Sequence, residues 1–197
     1  MDPAAVAGET ALPVTTSAST SASRTEASVF EGLFVRGLKV PPTSPFAEEL
    51  KRVGVDIKRL EPSYPTQVWH ASLSVALRHA AGTMNENDGY RFLAQRFVAG
   101  FFDTVVGKLL AVGIPLMGPD RVLQKLGRHW SMAQPTLRVA VEKVGDKHWS
   151  ARLDEPDMLA EFCAGIIYWG LIRAKVVPTV LVKESARNHC VLDIRWQ

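Results

Sequence analysis

From Leu137 onward the apolar residues stop recurring at helical spacing and begin to alternate. Leu137, Val139 and Val141 interleave with Arg138, Ala140 and Glu142. After a two-residue turn signal of the II′ type at Gly145-Asp146, Trp149, Ala151 and Leu153 fall on one face, with His148, Ser150 and Arg152 on the other. Period two means strands with one face against a core. A second such pair, Val177–Glu184 and His189–Trp196, closes the chain. Between the pairs, Met158, Phe162, Cys163, Ile166 and Ile167 keep helical spacing up to about Ala174, with Asp154 or Glu155 as the cap. The expectation is an α+β domain in which a helical N-terminal part precedes an antiparallel sheet of two hairpins joined by a buried helix, ββαββ.

The N-terminal half carries the helices. Val29–Leu38 is apolar with some alternation before Pro41-Pro42 and is expected to be a strand or short docked segment. Ser44 and Pro45 start a helix that Gly54 closes, and Tyr64-Pro65-Thr66 introduces another through about Ala81. Asp88 is expected to cap the longest helix, Gly89 to Val112, whose apolar residues cover so much of its circumference that it should be largely buried. Gly100 and Gly107 in it would permit close approach of another backbone. A short helix from Asp120 to about Trp130 carries Arg121, Lys125 and Arg128 on one face. Residues 1–28 are rich in Ala, Ser and Thr and are expected to form a disordered tail, leaving 29–197 as one domain.

Composition narrows the function classes. A formal net charge of +3 is far from the dense basic stripes of a nucleic-acid binder. Cys163 and Cys190 make no CxxC pair and are expected to be reduced core thiols. The longest apolar run, Phe162 to Ile172, has roughly half the ~20 residues that cross a bilayer, and no export signal stands at the start, so a cytoplasmic protein without a membrane span is expected. HxxxH, HExxH, GxSxG, GxGxxG and the phosphate-binding GxxxxGK[ST] are all missing from the sequence. No metal ligand set and no catalytic residue is therefore assigned.

Two constellations remain. His148, Ser150 and Arg152 point the same way from one strand, and an arginine beside a cavity can take a carboxylate or phosphate through two parallel hydrogen bonds. The same three residues also suit a solvated outer face. Phe97, Phe101, Trp130 and Phe162 supply more aromatic bulk than a small sheet needs and could line an apolar pocket, or simply fill the core. With Tyr168 and Trp169 facing outward, aromatic bulk of this kind would serve a homodimer or another protein partner.

Val29-Phe30-Glu31-Gly32-Leu33-Phe34-Val35-Arg36-Gly37-Leu38, Gly54-Val55-Asp56 and Tyr64-Pro65 together resemble a family of paralogous proteins of unknown function, about 200 residues long, from myxobacteria. The C-terminal half resembles at fold level the superfamily of H-NOX haem sensors, TRAPP-type trafficking subunits and vinyl-reductase-type ligand-binding domains. In H-NOX proteins a Tyr-x-Ser-x-Arg motif holds the haem propionates. Here His148-Trp149-Ser150-Ala151-Arg152 keeps the serine and arginine and lacks the tyrosine. The haem-binding histidine of that family lies on a helix before the Pro135 region, where this chain has Arg121, with His129 further on. The resulting expectation is a non-catalytic module without a cofactor, binding a small apolar or anionic ligand or a protein partner in a regulatory or scaffold role. A haem-based gas or redox sensor, or an enzyme with a cleft around Arg152, stands as the alternative.

Overall fold

The computed structural model describes residues 23–131, 134, 136–155 and 157–197. Its two interiors share one helix. The N-terminal interior is built from β1 (Arg24–Glu26), α1 (Ala27–Phe30), a π-helical segment (Glu31–Gly37), α2 (Pro45–Arg52), β2 (Ser63–Pro65), α3 (Thr66–Ala81) and α4 (Glu86–Phe101). After α5 (Val105–Gln124) and α6 (Leu126–Ser131) come β3 (Arg138–Gly145), β4 (His148–Asp154), α7 (Ala160–Arg173), β5 (Pro178–Ala186) and β6 (His189–Trp196). The four long strands form one antiparallel sheet in the order β3-β4-β6-β5. The two hairpins flanking a helix are thus as the alternation predicts.

Helix α7 is apolar almost all round, and the two interiors divide it. Phe162 packs with the helical half, around Trp69, Phe30 and Leu93, while Cys163, Ala164, Ile167 and Leu171 pack on Trp149, Leu153 and Leu192 of the sheet. Gly165 sets how closely α7 approaches α4. A Cβ added there would come 2.5 Å from Ala94 Cβ and 3.3 Å from the Arg91 backbone. Arg91 then bridges the layers, donating to Glu161 Oε2 at 2.6 Å and to the Val180 carbonyl at 3.1 Å.

Several expectations need correction. Val29–Leu38 is helical, not a strand. Val29, Phe30, Leu33 and Phe34 are all buried on one side, and the Leu38 N–H reaches back to the Leu33 carbonyl at 2.7 Å, the longer loop of a π-helix. The fold also begins before Val29. β1 pairs with β2, Thr25 is fully buried, and Thr66 N–H donates to the Ser23 carbonyl at 2.9 Å. The rest of the expected tail, residues 1–22, lies outside the described residues. Asn85, not Asp88, caps α4, accepting from Asp88 N–H at 3.0 Å. At the first hairpin the left-handed residue is Lys147 (φ 52), with Gly145 still in the strand, so the II′ turn is not made.

The expected long helix is two. Thr104 accepts from Gly107 N–H at 3.0 Å and starts α5 at 96° to α4. Gly100 does admit another backbone, because a Cβ there would collide with Gly32 and Gly37 of the π-helical segment. Gly107 instead makes room for the chain's own reversal at Phe101-Phe102. A further break at Gly118 (φ 73), followed by Pro119, divides α5. The turn at Thr104 also undoes the expectation of burial: Val105, Leu109, Val112 and Leu116 face solvent. Among the described residues no single helix is long and apolar enough to cross a membrane.

Replacing Gly165 by alanine forces α4 and α7 apart, and stability should fall by about 1–3 kcal/mol, read as a lower denaturation midpoint with an unchanged m-value.

Candidate functional site

The seam between the two interiors is not completely filled. A partly open cavity of about 130 Å³ lies there, between α4, α5, α6 and α7. Phe97, Phe101, Trp130 and Phe162, the aromatic residues singled out in the sequence, all line it. Their rings are held by mutual contact: Phe97 stands 5.4 Å from Phe101 and 5.9 Å from Phe162, and Trp69 backs Phe162 at 5.9 Å. Leu110, Ile114 and Leu126 supply the α5 and α6 walls. Gly170 leaves part of the α7 wall bare, with open space where a side chain would stand. The lining is apolar apart from His129 and Gln134. Burial, aided by the positive charges of Lys125 and Arg128, holds the His129 pKa below its ordinary value, so its imidazole is neutral at neutral pH.

Behind this wall runs a buried polar chain that the sequence did not reveal. The Trp130 indole N–H donates to Gln134 Oε1 at 3.3 Å, and Gln134 Nε2 donates to Glu155 Oε1 at 3.1 Å. Glu155 does not cap a helix as its position beside Pro156 predicts. Its N–H donates to the Asn188 carbonyl at 3.0 Å, and its carboxyl turns inward, where burial pushes its pKa up to about 7. His70 of α3 comes within 3.9 Å of Glu155 Oε2, too long for a hydrogen bond. Burial holds the His70 pKa down even against the charge of Asp157. Both shifts favour uncharged forms, and with His70 neutral the contact is not an ion pair.

His148, Ser150 and Arg152 occupy the opposite face of the sheet from the cavity. His148 Nε2 lies 2.7 Å from Asp193 Oδ1, and Arg152 pairs at 2.9 Å with Asp154 on its own strand. Half-exposed and already paired, Arg152 is aimed at water. The structure therefore separates the two constellations. Tyr168 and Trp169 are half-buried and border a second groove, of about 260 Å³, with Arg91 and Phe92. Cys163 and Cys190 are free and buried, and burial raises both thiol pKa values, that of Cys190 to about 11. Neither is poised as a nucleophile.

The arrangement of a helical half and a ββαββ half is that of the H-NOX fold. An H-NOX protein from S. oneidensis in its Fe(II)NO state superposes with a TM-score of 0.68 at 12% identity, over 87% of this chain and 99% of that one. A mutant H-NOX domain from Shewanella oneidensis, solved by NMR in its Fe(II)CO state, gives 0.66 at 12% identity, over 87% and 98%. An oxygen-binding H-NOX domain related to soluble guanylate cyclases, in its oxygen complex, gives 0.60 at 14% identity, over 87% and 95%. Residues 23–197 match the model of a family described as protein of unknown function DUF2378, and the chain belongs to that family. No curated protein matches it.

Of the polar residues that the resemblance to haem proteins points to, His129 lines the cavity and Arg121 does not. As it stands in this structure, the cavity is close in size to the ~150 Å³ pocket that takes up benzene. Ser150 and Arg152, nominated by the resemblance to hold propionates, lie across the sheet from it.

Glu155 makes stability depend on pH. Its folded pKa lies above the unfolded value of 4.5, so its contribution is full below pH 4.5 and is lost as the pH rises through 7. The loss is roughly 3 kcal/mol. Glu155→Gln keeps the acceptor for Gln134 and should flatten this slope, leaving the variant more stable than the parent at pH 8 and equal to it near pH 4.5 in urea titrations.

Proposed function

We propose that this protein is a non-catalytic sensor module whose ligand is a small apolar molecule held in the seam cavity. The observation that carries this reading is the cavity's placement. It lies where the helical interior, the sheet interior and α5 meet, so an occupant touches every part whose relative position could report binding. An apolar wall with only His129 and Gln134 for polar contact favours a hydrocarbon-like ligand with at most one hydrogen-bonding end. Buried, high-pKa thiols and a cavity without a charged side chain in its lining argue against turnover. The H-NOX fold supports a ligand-responsive role by analogy of architecture alone.

The test uses benzene as the probe. A saturating concentration should raise the melting temperature of the full chain, and a hundredfold excess over Kd corresponds to about 2.7 kcal/mol. Gly170→Leu projects a side chain into the empty part of the wall, should fold normally because open space awaits it, and should abolish the benzene shift. A parent protein indifferent to benzene, or one that acquires a Soret band on reconstitution with haem, overturns this reading.

A further inference from the structure

The outer side of α5 carries an apolar seam that no part of the described chain covers. Val105 is 80% exposed, Leu109 77%, Val112 73% and Leu116 83%. Their spacing of four, three and four residues is the a/d pattern of a helix that packs against another helix. Helix α5 is therefore apolar on two sides: Leu110 and Ile114 face the cavity, and this seam faces outward.

We infer that this seam is the interface of a homodimer in which two copies of α5 pack antiparallel about a two-fold axis. The pattern is its own complement under that operation. Reversed and laid against itself, Val105 meets Leu116 of the second copy and Leu109 meets Val112, so every layer pairs one β-branched with one γ-branched side chain. The same alignment runs the two helix dipoles in opposite directions. The four side chains present roughly 500 Å² per copy, at the upper end of what a monomer leaves in one patch. Complete burial of these side chains would cover at most roughly 1,000 Å² in total, the lower bound for a biological interface. A lipid surface is a poorer match, because interfacial helices border their apolar face with several cations, and up to its break at Gly118 this one offers Lys108 alone, with exposed Asp103 at its start.

Sedimentation velocity on the full chain tests the assignment. A dimer is expected, and Leu109→Glu or Leu116→Glu should raise its dissociation constant by at least about 100-fold with an unchanged circular dichroism spectrum, since both side chains already face solvent in the monomer. A protein that remains monomeric to high micromolar concentration overturns the inference, as does a dimer indifferent to both glutamate variants. Sedimentation of the monomer with phosphatidylglycerol vesicles would assign the seam to lipid instead. None of these outcomes depends on whether the cavity takes benzene.

Discussion

Close packing of α7 against α4 is the constraint on which the remaining architecture rests. Gly165 brings the two helices together at Ala94, and Arg91 fixes their register through Glu161 and the Val180 carbonyl. With α7 pressed into the helical half on one side and laid on the sheet on the other, α5 and α6 are left to close the remaining flank. They do so incompletely. Thr104 turns the chain nearly at right angles, Gly118-Pro119 interrupts α5, and the space behind Leu110 and Ile114 becomes the cavity. The site is thus a consequence of helix geometry and not of any dedicated set of polar side chains.

The polar chain from Trp130 through Gln134 to Glu155 gives that otherwise apolar seam a defined electrical state. A carboxyl that keeps its proton up to about pH 7 satisfies the Gln134 amide without placing a charge beside the aromatic wall. Because Gln134 and Trp130 also line the cavity, ionisation of Glu155 and occupation of the cavity act on the same two side chains. The proposed ligand site and the pH-dependent stability therefore share a physical origin.

Much of this was legible before any coordinates. Strand alternation at Trp149-Ala151-Leu153 and Cys190-Leu192-Ile194 marks the sheet because one buried face enforces period two. Phe97, Phe101, Trp130 and Phe162 marked the cavity wall through sheer excess of aromatic volume. The failures also have physical causes. Val29-Phe30 and Leu33-Phe34 carry helical spacing, but a π-helical insertion and flanking glycines blur it toward alternation. The Asp103-Thr104 turn is a local cap embedded in a continuous apolar run, so periodicity alone reads straight through it. Glu155 looks like an ordinary cap beside proline, and only tertiary burial turns it inward. His148, Ser150 and Arg152 share one face as the alternation predicts, yet sequence cannot say which side of a sheet the cavity occupies.

Sharing α7 has one further consequence. Phe162 and Cys163 are consecutive, yet each belongs to a different interior. Neither half can melt without stripping a wall from the other. The molecule should lose its structure in a single cooperative step, and a disturbance anywhere along that helix is felt on both sides at once.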